Sequence, residues 1–256
     1  MINNDPRRPD PTRASPSTGP VNQTGWAKPN TLSTMGQPAA ATVATGEGFL
    51  TMSFVWMTLG LLLSAGTAAV VLSSANILTT VTDWYLGLIM VEFAFVIAVS
   101  AAINKVGALP GLALFFAFAI LNGATLSILA LVYTSASITA AFVGASAVFG
   151  AAAVYGVVTR RDLTSLGGIL FVGLIGLVVM SLANIWIGGS AFSFVIGALG
   201  IVIFTGLTAY DVQRLRNGNL AWIATREAAS VIGALRLYLD FVNLFISFLR
   251  VSGGRR

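Results

Sequence analysis

Seven apolar stretches divide this 256-residue chain, at about 50–72, 84–103, 110–133, 138–158, 166–187, 191–213 and 230–249. An α-helix rises 1.5 Å per residue, so roughly 20 apolar residues span the hydrocarbon core of a bilayer. Each stretch has about that length. The stretches are continuous rather than alternating, which fits spanning helices and not barrel strands. The connections between them are short, so neighbouring helices should run antiparallel. Composition agrees: 56% of the residues are hydrophobic and 9% charged, where soluble domains carry about a quarter charged. The chain therefore reads as an all-α membrane protein, a seven-transmembrane-helix bundle.

Several chemistries are closed to it. There is no Cys and no His, which rules out disulfides, thiolate or imidazole metal ligation and Ser-His-Asp catalysis. A net charge of +5 might suggest nucleic acid in a soluble protein. Here the basic residues sit at the ends of apolar segments and in the tail, so they report topology and no nucleic-acid partner is expected.

The basic residues between spans alternate. Lys105 follows the second stretch, Arg160 and Arg161 the fourth, and Arg214, Arg216 and Arg226 the sixth. The first, third and fifth connections have no Lys or Arg, and the first offers only Asp83. The positive-inside rule then puts the basic loops in the cytoplasm. Residues 1–46 hold seven of the eight prolines and read as a disordered cytoplasmic tail without the apolar region of a signal peptide. Residues 47–250 form the helical domain and 251–256 a short basic C-terminal tail. Seven crossings put that tail outside, despite Arg250, Arg255 and Arg256; the length of 230–249 favours a full crossing.

Charge inside the apolar segments is where function is to be sought. A carboxylate at the centre of a spanning helix costs about 2.5–3.5 kcal/mol on insertion scales. Arg236, Asp240, Asn243 and Ser247 fall at i, i+4, i+7 and i+11, a polar seam on one face of the last helix. Such a seam belongs against protein or water, not lipid. Arg236 and Asp240 could also form a self-contained pair one turn apart that only holds the fold. Asp211 lies about one turn inside the end of the sixth stretch, where a pair with Arg214 is the simpler reading. The seventh stretch starts from that same side, so Asp211 and Asp240 could meet. Two carboxylates in a dry site share protons and titrate as a coupled pair, and when both ionise they offer oxygens to Ca²⁺. Glu92 sits mid-span among apolar neighbours; it is either a pathway residue or a neutral acid bonded to another helix. For Asn122 and Asn184, interhelical hydrogen bonds are expected. Small residues such as Gly156, Gly197 and Gly200 suggest close packing within the bundle.

The segments Thr208-Ala-Tyr-Asp-Val-Gln213 and Leu237-Tyr-Leu-Asp-Phe-Val-Asn-Leu-Phe245 resemble the signatures of the Bax inhibitor-1 (transmembrane BAX inhibitor motif) family, as do Gly123-Ala-Thr-Leu-Ser127 and the acid at Glu92. The resemblance covers about residues 47–250. It implies seven helices with the last at the centre, and a pH-sensitive calcium leak channel whose sensing aspartates are Asp211 and Asp240. Glu92 matches an acid along the family's pore. Ca²⁺ is then a permeant or transiently bound ion, with contacts at Asp211 and Asp240, and no cofactor is implied. Relatives can carry a basic cluster at the cytoplasmic end of the second helix. This chain has only Asn104-Lys105 there, and Arg236 is the candidate to take over as gate and charge partner.

The main alternative is a non-conducting regulator that binds a membrane protease or another membrane partner. A proton-coupled transporter ranks lower, because neither an inverted repeat nor a broken helix is visible in the sequence. The chain does not read as an enzyme: a presenilin-like protease also uses two membrane aspartates but has Gly near the second, whereas Leu239 and Phe241 flank Asp240. No organelle address is apparent, and a bacterial inner membrane is the expected location.

Overall fold

The computed structural model describes residues 47–218 and 226–254. The N-terminal tail, with the expectations attached to it, lies outside the described residues. Within them the chain is helical, with no strand: α1 (Glu47–Ser73), α2 (Ala75–Asp83), α3 (Tyr85–Val106), α4 (Ala108–Ser127), α5 (Leu129–Val132), α6 (Ser135–Val158), α7 (Thr164–Ile187), α8 (Ser190–Arg216) and α9 (Arg226–Ser252). Six spans are long and apolar enough to cross a membrane, with α4 and α5 acting as one; the count rises to seven if α2 and α3 form one bent crossing.

The residues explain where the helices start and stop. Pro110 falls in the first turn of α4, where a missing N–H costs nothing. Thr134 caps α6, its hydroxyl accepting from the Ser137 N–H at 3.2 Å. Gly188 and Gly189 have φ of 65° and 94°, a left-handed turn that glycine enters freely. It lets α8 return directly beside α7.

One expectation needs correcting. Residues 75–83, read as a connection, form the helix α2, and α2 meets the start of α3 at a bend of 72°. The segment is short and has three Thr among its nine residues, and the hydroxyls of Thr79, Thr80 and Thr82 bond back to carbonyls of the same helix. α2 and α3 are thus two helices joined at a sharp bend, which the sequence does not reveal.

α9 packs against α1, α3, α4, α6 and α8. About two-thirds (67%) of its apolar window is buried, against at most 39% in the other five clearly spanning helices. Its end is tied to the start of α6: the Thr134 N–H donates to the Gly254 carbonyl at 3.3 Å, and the Gly254 N–H to Ser137 Oγ at 2.9 Å. Arg250, near that end, donates to Ser181 Oγ of α7 at 3.0 Å. α9 thus runs the full length of the bundle and ends beside the α5–α6 connection, where the sequence contains no Lys or Arg.

Candidate functional site

The polar seam of α9 faces α8, and small residues make that possible. A side chain at Gly197 would strike the Ser247 carbonyl and Arg250, and one at Gly200 would strike the Ser247 hydroxyl. These two glycines let α8 and α9 approach closely enough to bury Ser247; Asp240, about two turns earlier along α9, is buried as well. Asn243 and Ser247 turn their hydrogen bonds inward: Asn243 Nδ2 donates to the Leu239 carbonyl at 2.8 Å and Ser247 Oγ to the Asn243 carbonyl at 2.7 Å.

Asp211, Arg236 and Asp240 come together between α8 and α9. Arg236 Nη1 donates to Asp211 Oδ1 at 3.1 Å, an ion pair between the two helices. The pairing predicted within α9, Arg236 with Asp240, is therefore not the ion pair that forms: Arg236 reaches across to the next helix. Nor does Asp211 make its ion pair with Arg214, although Arg214 lies within electrostatic reach of it. Asp211 and Asp240 are 6% and 5% exposed, while the Arg236 side chain is 33% exposed. Asp240 feels the charges of both Asp211 and Arg236. Its Oδ2 is buried and has no hydrogen-bond partner, an arrangement that is costly for an ionised oxygen. The site thus holds two acids and one guanidinium, and the guanidinium is bonded to only one of the acids.

No group of three acids forms a ready-made metal cage among the described residues. Ca²⁺ takes six to eight oxygens, and Asp211 and Asp240 together offer four, one of them bonded to Arg236.

Glu92 lies in a second, separate polar cluster. Its Oε1 accepts from Thr125 Oγ1 at 2.6 Å and its Oε2 from Asn122 Nδ2 at 3.2 Å. The Tyr238 hydroxyl donates to Asn122 Oδ1 at 2.9 Å and lies 2.7 Å from Ser64 Oγ. Asn122 makes the interhelical bonds expected of it. The side-chain carbonyl of Asn184, by contrast, is buried and takes no hydrogen bond. Tyr238, Thr125 and Ser64 escaped sequence reasoning, because an aromatic and two hydroxyls in apolar helices look like ordinary packing. The available signal was that Tyr238 and Thr125 fall inside the two motif segments.

Gln213 was also missed. Its amide closes the rim between α6, α7 and α8, donating to the Arg161 carbonyl at 2.7 Å and accepting from the Leu163 N–H at 2.9 Å. Around it a cavity of about 250 Å³ is lined by residues including Arg160, Arg161, Asp162 and Arg216. Hydrogen bonds from the side chain and backbone N–H of Thr164 hold Asp162 below the usual carboxylate range.

The profile of the family described as "Inhibitor of apoptosis-promoting Bax1" matches residues 46–256. The inner membrane protein YbhL of Escherichia coli (strain K12) is 42% identical over 218 residues, covering 82% of this chain and 93% of that protein. A protein of Deinococcus radiodurans, named only as uncharacterized, is 37% identical over 209 residues, covering 81% of this chain and 90% of its own length. One of Borreliella burgdorferi, named likewise, is 37% identical over 214 residues, covering 81% and 92%.

Proposed function

Since the chain belongs to the Bax inhibitor-1 family, we propose that it is a pH-sensitive calcium leak of a bacterial inner membrane, gated by a proton on the pair Asp211 and Asp240. In this reading α2 and α3 make one bent crossing, α9 is the axis of a seven-span bundle, and the N-terminus and the rim around Gln213 are cytoplasmic. Positive-inside charge supports the orientation, since Arg160, Arg161, Arg214 and Arg216 share that rim.

The observation that carries the gating proposal is the unpartnered, buried Oδ2 of Asp240 beside an Asp211 that already holds Arg236. One positive charge offsets one of the two acids. A proton on the pair removes the charge of the acid that Arg236 does not hold and lets α8 and α9 close on each other. Without that proton Asp240 is an ionised carboxylate with a buried, unpartnered oxygen beside Asp211, and repulsion between the acids then favours separation and the entry of a cation. Ca²⁺ flux should therefore rise as pH rises. Glu92 supplies a further acid on the ion's path through α3.

The test is Ca²⁺ uptake into liposomes holding the full chain, measured at several pH values. Wild type should leak more at higher pH, and Asp240→Asn should lose the pH response. An Asp240→Asn protein that keeps the wild-type response would remove the pair as sensor. Folded protein with no flux at any pH would leave the regulator of a membrane partner as the better reading.

A further inference from the structure

We propose that Asn122, Tyr238 and Ser64 form a reversible hydrogen-bond relay by which the presence or absence of a proton on Glu92, in α3, is registered on α9 and α1. The proposal concerns a site apart from the aspartate pair and does not depend on calcium conduction.

A hydroxyl donates once and a primary amide presents a donor nitrogen and an acceptor oxygen at fixed positions. With Glu92 ionised, every bond in the chain points toward it. Ser64 donates to Tyr238, Tyr238 to Asn122 Oδ1, Asn122 Nδ2 to Glu92 Oε2, and Thr125 to Glu92 Oε1. With Glu92 protonated, the carboxyl itself has a hydrogen to give. Turning the Asn122 amide over lets its oxygen accept that hydrogen, and its nitrogen then donates to the Tyr238 oxygen. Tyr238 now donates to Ser64. Ser64 still has somewhere to donate, because the Ala119 carbonyl lies 2.7 Å and the Gly60 carbonyl 3.0 Å from its Oγ. Both settings satisfy each linked group, and the heavy atoms of the hydroxyls need not move.

Packing keeps the relay in place. Tyr238 is fully buried. Its ring stands edge-on to Phe115 and Phe118, with centroids 5.7 Å and 5.8 Å away. A side chain at Gly123 would strike the Ser64 backbone carbonyl, so the glycine allows α1 to bring Ser64 against α4. A phenol held this firmly can respond by turning its O–H bond and not by moving its ring. Tyr238 precedes Asp240 by two residues, which places them roughly 200° apart around the helix. The relay therefore reaches α9 on the side away from the aspartate pair.

The charged and titratable groups around Glu92 are few. α4 contains none, and α1 has only Glu47 at its start. Tyr238 on α9 and Tyr85 on α3 itself feel the Glu92 charge, and Arg250 acts on Tyr85. Asp83 ends α2 next to that region.

Infrared difference spectroscopy of the full chain in lipid, titrated with acid, tests the relay. The carboxyl band lost in Glu92→Gln belongs to Glu92, and the phenol band lost in Tyr238→Phe belongs to Tyr238. The two bands should change together, with one midpoint, in wild type. The Tyr238 change should disappear in Glu92→Gln and in Asn122→Leu, and should persist when Asp211→Asn and Asp240→Asn are combined. Should Asn122→Leu fail to fold, Ser64→Ala removes the last acceptor and should reduce or abolish the Tyr238 change. A Glu92 band that does not titrate, a Tyr238 band indifferent to it, or a Tyr238 change that survives Glu92→Gln would each overturn the proposal. None of these readouts involves flux, so the relay can fail while the leak stands, or the reverse.

Discussion

Asp162 accepts a 2.9 Å hydrogen bond from the Thr164 N–H at the start of α7, and its carboxyl is held below the usual range by Thr164. A group depressed in the folded protein stabilises it above the unfolded pKa, and that contribution is lost as pH falls through the folded value. Asp162→Ala should therefore lower the melting temperature of the purified protein slightly at neutral pH. The difference should vanish in acid, and thermal melts across pH check it. Sequence reasoning could read the acids that insertion energy makes conspicuous: Asp211, Asp240 and Glu92 each stand out against apolar neighbours. It could not choose Arg236's partner. Helical spacing puts Asp240 one turn away, but the cross-helix bond to Asp211 depends on how α8 and α9 face each other, which one helix's spacing does not contain. Nor could it link Glu92 to Tyr238, because their contact runs through Asn122 on a third helix.

Among the helices, close approach is the recurrent device, and α1 against α4 gives the clearest test. A Cβ added at Gly123 would overlap the Ser64 backbone carbonyl, which cannot turn aside as a flexible side chain could. Gly123→Ala should cost about 1–3 kcal/mol of stability through overpacking, read as a lowered melting temperature in detergent. A variant as stable as wild type would mean the two helices can separate without loss. The positions of the long helices were legible because apolar length is a strong signal: the stretch at 191–213 became α8 at 190–216, and that at 230–249 became α9 at 226–252. α2 was not legible. Its nine residues, three of them Thr, are too few for a span, and no Pro or Gly within the segment marks the 72° bend beside Trp84.

For the molecule as a whole, the two ends of the bundle differ in charge and can be told apart experimentally. The chain has no Cys, so single cysteines can be introduced without background. Ser135→Cys and Ser252→Cys lie at exposed positions at one end, and Asn217→Cys at an exposed position at the other. In intact cells a membrane-impermeant thiol reagent should label the first two and spare the third; the opposite pattern would invert the assigned orientation. The clamp that joins Gly254 to Thr134 and Ser137 also bears on how the protein is handled. A bulky group inserted directly behind Gly254 would load that clamp and the final turn of α9, so fusions are better placed ahead of α1.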